Sequence, residues 1–124
     1  MGDLSTHFSK SEFACHCGCG YGTRPGEVSR RLLDLLEEIR TYCQAPVTVV
    51  SGCRCLKHNS AVGGAPRSQH MFGTAADIKV QGISPKAVAD WLCQQHPHSY
   101  GIGRYRTWTH IDVRDAPARW GANS

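Results

Sequence analysis

Ser68-Gln69-His70-Met71-Phe72-Gly73-Thr74-Ala75-Ala76-Asp77-Ile78-Lys79-Val80 contains a turn followed by a strand. Gly73 permits a sharp reversal, so His70 falls on a loop, while Asp77 falls within a strand predicted over Thr74–Val80. The small side chains of Thr74, Ala75 and Ala76 let other backbone, or a ligand, approach closely. Downstream, Ser84-Pro85 reads as an N-cap followed by proline at the first helical position, and Ala87, Val88, Trp91 and Leu92 form that helix's inner face. Gly101-Ile102-Gly103 begins another strand, and Trp108–Arg114 is the last. Upstream, Val28, Leu32, Leu35, Leu36, Ile39 and Cys43 recur at helical spacing, which predicts an amphipathic helix over Glu27–Cys43. Pro46 ends it. Val47-Thr48-Val49-Val50 is β-branched throughout and reads as a short strand. Arg54–Val62 has room for one or two helical turns before Gly63-Gly64-Ala65-Pro66 stops them. Two helices and about four strands, not in strict βαβ alternation, predict an α+β fold: a small antiparallel sheet flanked by helices.

A length of 124 residues fits one domain spanning 1–124, with residues 1–26, rich in Gly, Cys and polar side chains, as an irregular arm. Hydrophobic residues at 40% and charged residues at 19% exclude a disordered chain. No run approaches the roughly 18 apolar residues of a membrane helix, so no membrane partner is expected. Met1-Gly2-Asp3-Leu4-Ser5-Thr6-His7 lacks the layout of a signal peptide, which predicts synthesis in the cytoplasm without ordinary secretion. A net charge of +4 favours an anionic partner, and cell wall and nucleic acid both qualify. The basic residues are scattered, and neither a basic helix nor regular Cys/His finger spacing is present, so nucleic acid is not the expected partner.

In the last strand, period-two alternation puts Trp108, His110 and Asp112 on one face, with Thr109, Ile111 and Val113 on the other. Ile111 and Val113 suit a core, so His110 and Asp112 point to the polar side. Together with His70 and Asp77, His110 completes two imidazoles and one carboxylate. That is the three-ligand type of catalytic zinc site, whose fourth position stays open for water.

The string Ser68-x-His70-x2-Gly73-x-Ala75-x-Asp77, followed by Trp108-x-His110, resembles the zinc D-Ala-D-Ala metallopeptidases. That group includes carboxypeptidases, phage endolysins and the zinc-binding domain of hedgehog proteins. The resemblance covers roughly Phe8 to Trp120. It implies a hedgehog/DD-peptidase-like fold and one catalytic Zn²⁺ held by His70, Asp77 and His110. The implied activity is hydrolysis of D-amino-acid peptide bonds in peptidoglycan stem peptides by a monomer acting on the cell wall, with a phage or prophage lysis setting among the possibilities. Ser51-Gly52-Cys53-Arg54 is similar to the family's Ser-Gly-x-Arg segment, which makes Arg54 the residue that meets the substrate's carboxylate or carbonyl. His58-Asn59-x3-Gly63-Gly64 and Gly101-Ile102-Gly103-x-Tyr105 resemble compact phage-type members. Ser68 is expected either to position the peptide or to cap the turn before His70. Many members carry an acid three residues before the last histidine as general base, but here Thr107 stands there and cannot take a proton. Asp112 is the leading replacement, and the alternative is a structural carboxylate paired with Arg114 or Arg54. Asp115 is a weaker candidate. Without a base, the chain reads as a zinc-stabilised binding domain that keeps the fold but not the turnover.

The seven cysteines are Cys15, Cys17, Cys19, Cys43, Cys53, Cys55 and Cys93. An odd number without a signal peptide argues against a complete disulfide framework. For the Cys15-His16-Cys17-Gly18-Cys19 run, with Cys53, Cys55 and His58 as further ligands, three readings stand: a second, structural metal ion, disulfides formed outside the cell, or inert thiols.

Overall fold

The computed structural model describes residues 4–24, 26–64 and 68–121. The first three residues and the Ala65-Pro66 part of the predicted helix stop lie outside them. The architecture is α+β: three helices and a five-stranded mixed sheet. The elements are α1 (Arg30–Cys43), β1 (Val47–Ser51), α2 (Leu56–Ala61), β2 (Ala75–Val80), α3 (Pro85–Gln95), β3 (Gly101–Arg104), β4 (Thr109–Asp112) and β5 (Ala118–Gly121). Short 3₁₀ turns cover Lys10–Glu12 and Gln69–Phe72.

Helix α1 starts three residues later than its periodicity implies, because the Ser29 hydroxyl caps it by accepting from the Leu32 N–H at 3.4 Å. Val28 is still buried, but as part of the incoming chain. Ser84 caps α3 as its sequence indicates, accepting from the Ala87 N–H at 3.1 Å. Strand order is β1-β2-β4-β3-β5, antiparallel throughout except that β5 joins β3 in parallel. That fifth strand was not expected: Ala118-Arg119-Trp120-Gly121 is four residues with no β-branched side chain and a glycine at its end, and its pairing to β3 is what makes it a strand.

Leu32, Leu36, Ile39, Ile78, Leu92, Ile102 and Ile111 are fully buried in one core. Residues 4–24 belong to it, since Phe8 and Phe13 are as buried as any of these. The Phe13 carbonyl accepts from the Cys53 N–H at 2.9 Å. A Cβ on Gly52 would lie 2.7 Å from the Phe13 Cα, so only glycine lets the two segments meet. Glu37 anchors the start of this segment, accepting from Ser5 Oγ at 2.6 Å and from the His7 N–H at 2.7 Å. No helix among the described residues is long and apolar enough to cross a membrane.

The ring of Phe13 therefore supports the domain. Phe13→Ala is expected to cost about 3–5 kcal/mol of unfolding free energy, measured by denaturant titration. A loss within about 0.5 kcal/mol, typical of surface substitutions, would show that the N-terminal segment adds nothing to the core.

Candidate metal centre

The sheet register builds the site. Asp77 on β2 lies opposite His110 on β4, which lies opposite Gly103 on β3, which pairs with Trp120 on β5. One residue of each of these four strands thus forms a row across the face away from Ile78, Ile102 and Ile111. Gly103 is small for a reason: a Cβ there would meet the Trp120 ring at 2.6 Å, and that ring sits 4.9 Å from the His110 ring, centroid to centroid. In the neighbouring row, Ala75, Asp112, Gly101 and Ala118 align. A Cβ on Gly101 would lie 2.4 Å from both Asp112 carboxylate oxygens.

His70 comes from outside the sheet, on the 3₁₀ turn. Ser68 Oγ accepts from the His70 N–H at 3.2 Å, and Gly73, at φ 70°, ends the turn where a Cβ would strike the Glu27 carbonyl. The Arg54 N–H donates to the His70 carbonyl at 3.0 Å, tying this turn to the segment after β1.

His70 Nδ1 lies 2.6 Å from the Gly52 carbonyl, which can only accept, so Nδ1 carries the proton and Nε2 presents its lone pair. Nε2 is 3.3 Å from Asp77 Oδ1. His110 Nδ1 is 2.9 Å from the same oxygen, and its Nε2 is 2.8 Å from Asp112 Oδ2. All three residues are buried, and one donor atom from each lies within 4.8 Å of the others. Donors about 2.0–2.1 Å from a common zinc stand about 3.3 Å apart at tetrahedral corners. The donor set therefore fits zinc, and each imidazole's remote nitrogen is already held by a carbonyl or a carboxylate, as metal-binding histidines require.

Neighbouring groups outweigh burial at Asp77, His110 and Asp112. Burial opposes ionisation of Asp77, but His110 and His70 outweigh it and lower its pKa to about 2. Burial alone would lower the pKa of His110, but Asp112 and Asp77 outweigh it and raise it. For Asp112, burial is likewise overcome, by Arg114 and His110, which hold its carboxyl well below the usual carboxylate range.

Asp112 shares the His110 face, as period two requires, but its carboxylate is fully engaged. Arg114 grips it with Nε and Nη2, both at 2.7 Å, and His110 takes the remaining direction. It is 0% exposed and meets His110 at Nε2, on the ring edge away from Asp77. Asp115 is exposed, with only a 3.8 Å contact to Arg31. Thr107 is exposed.

A cavity of about 450 Å³ opens over the three donors. Arg54 and Arg114 line it with Ser68, Tyr105, Trp108 and Trp120. Arg54 is held by Asn59 Oδ1 at 3.4 Å, Ser51 Oγ at 3.3 Å and Asp77 Oδ2 at 3.5 Å. A Cβ on Gly64 would overlap Asn59 Oδ1 and lie 3.2 Å from Arg54 Nη1, which explains the glycine in the His58-Asn59-x3-Gly63-Gly64 stretch. Tyr105 stacks on Trp108 at 4.9 Å and accepts from Trp120 Nε1 at 3.0 Å, while the Arg114 guanidinium lies 5.1 Å from the Trp120 ring centroid. Arg114, Tyr105 and Trp120 are cavity residues that sequence reasoning did not assign. Their signals were indirect: Tyr105 falls in the Gly101-Ile102-Gly103-x-Tyr105 stretch, Arg114 was an alternative partner for Asp112, and Gly103 leaves room for Trp120.

Residues 6–112 match the sequence profile of the family described as peptidase M15. No curated protein matches the sequence. The match spans most of the chain and includes all three donors, and the chain belongs to the peptidase M15 family, zinc metallopeptidases of the D-Ala-D-Ala carboxypeptidase type.

Proposed function

We propose that this chain hydrolyses D-amino-acid peptide bonds in the stem peptides of bacterial peptidoglycan, with His70, Asp77 and His110 holding one catalytic zinc. The observation that carries this reading is the pair of imidazoles whose lone-pair edges converge on Asp77 Oδ1 at 3.3 and 2.9 Å while their far edges are tied down. Zinc at such a position supplies Lewis-acid polarisation of a carbonyl and an acidified water. The two cavity arginines supply what a carboxylate-rich wall peptide needs: Arg54 as a fork for a carboxylate or for the developing charge on the scissile carbonyl, and Arg114 as a second cation beside the aromatic wall. Trp108 adds to the aromatic wall, and its Nε1 is buried without an acceptor among the described residues. Ser68 acts through the turn it caps. Action at the cell wall follows from this substrate.

Asp112 is read here as a positioning residue that fixes the His110 ring and its Nε2 proton. Its lone pairs are already committed to Arg114 and His110, so it lacks a free oxygen for a proton from water. Asp77 is the only carboxylate among the described residues that line the cavity. That observation favours a second reading, a zinc-stabilised wall-binding domain without turnover.

Digesting purified peptidoglycan with zinc-loaded protein and weighing the fragments separates the two. Released stem-peptide fragments that vanish on chelation support the hydrolase, whereas sedimentation with intact wall and no new fragments supports the binding domain. Arg54→Ala is expected to lower kcat/KM by about 10²-fold or more with zinc content and unfolding midpoint retained, and unchanged hydrolysis would remove Arg54 from substrate recognition. Asp112→Asn is expected to weaken zinc binding by about 10–100-fold while kcat at saturating zinc stays near the parent value. A fall of about 10²–10⁴-fold in kcat at full zinc occupancy would instead make Asp112 the base.

A further inference from the structure

Away from the cavity, four sulfurs gather where the N-terminal segment meets the segment after β1. Cys15 Sγ is 3.5 Å from Cys17 Sγ and 3.8 Å from Cys55 Sγ, and Cys17 Sγ is 3.5 Å from Cys55 Sγ. With Cys19, all four lie within 4.8 Å of one another. The spacing is informative. Thiolates about 2.3 Å from a common zinc stand about 3.8 Å apart in a tetrahedron, whereas a disulfide brings one pair to about 2.05 Å and leaves the others unconstrained. Here no pair is singled out, and all seven cysteines carry free thiols.

The backbone is shaped to bring these sulfurs together. In an extended strand, residues 15, 17 and 19 would share a face with successive Cα atoms about 7 Å apart, too far to share an ion. Instead the Gly18 N–H closes a turn onto the Cys15 carbonyl at 3.1 Å, and Gly18 and Gly20 take φ values of +83° and +91°. The Cys15 N–H donates to the Tyr21 carbonyl at 2.8 Å, pinning the two ends of the loop. Backbone donors already point at two of the sulfurs: the Cys55 N–H meets Cys15 Sγ and the His58 N–H meets Cys55 Sγ, each at 3.4 Å. Such N–H···S bonds hold metal thiolates in place. The odd cysteine count resolves as well, because Cys53 is buried in the core and Cys43 and Cys93 pack against it.

We propose that Cys15, Cys17, Cys19 and Cys55 form a second, structural tetrathiolate site for zinc, which fastens the N-terminal segment to the residue following Arg54. It does not depend on the hydrolytic reading, and the two fail separately. Full-length protein purified from zinc-supplemented medium under reducing conditions should carry two zinc equivalents per chain. A thiol-directed mercurial should release one of them and leave the ion held by His70, Asp77 and His110. Cys19→Ser should lose one equivalent and His110→Ala the other. Should Cys19→Ser fail to fold, the parent protein still decides: cobalt substitution must give an intense thiolate-to-cobalt charge-transfer band in the near ultraviolet, and that band must persist in His110→Ala. Retention of all zinc after mercurial treatment overturns the site, as does the absence of that band. A mass about 2 Da below the reduced chain in protein kept from air, with thiols missing by titration, overturns it in favour of a disulfide.

Discussion

The cross-strand pair Asp77–His110 is the constraint on which the site depends. Two strands of opposite direction place a carboxylate directly beside an imidazole at 2.9 Å, and neither residue is on a mobile loop. Such a pair, buried on both sides, would be costly if either group lacked partners. Each has them: Asp77 accepts from Arg54, and His110 donates from its far nitrogen to Asp112. A chain of polar contacts, Arg54–Asp77–His110–Asp112–Arg114, runs across the sheet, with an arginine cation set against each of its two carboxylates.

Support for this chain comes from parts of the molecule with no chemistry of their own. Phe13 fits against Gly52, whose carbonyl sets the proton position on His70. Gly101 and Gly103 leave room for the Asp112 carboxylate and for the Trp120 ring. Core packing, tautomer choice and cavity shape are therefore linked through a few contacts between backbone and side chains.

Much of this was legible in the sequence, and the residues show why. Helices α1 and α3 announce themselves through apolar spacing, and α3 also through the Ser84 cap that the structure retains, whereas the Ser29 cap of α1 was not read. The string from Ser68 to Asp77 carries its own geometry, a capped turn, a left-handed glycine and a strand, so its donors could be named without coordinates. Period two correctly put Asp112 on the His110 face, but it says nothing about competition for a carboxylate. Arg114, two residues on, reaches back and takes both oxygens. The N-terminal segment read as irregular because Phe8 and Phe13 are isolated aromatics among glycines and polar residues, with no periodicity to reveal a buried face. Strand β5 was hidden for the opposite reason: its partner, not its composition, makes it a strand.

The two faces of β4 also guard one another against error. Slipping this strand by a single residue against β2 would set Ile111 opposite Asp77 and turn both His110 and Asp112 toward the aliphatic layer. The misaligned sheet would lose its oily contacts and gain two unsolvated polar groups in the same step, so it could not persist as a folded protein with a ruined centre. Ile111 and its neighbours thus proofread the ligand geometry: a chain that has reached its stable sheet has, by that fact, already brought Asp77 and His110 together.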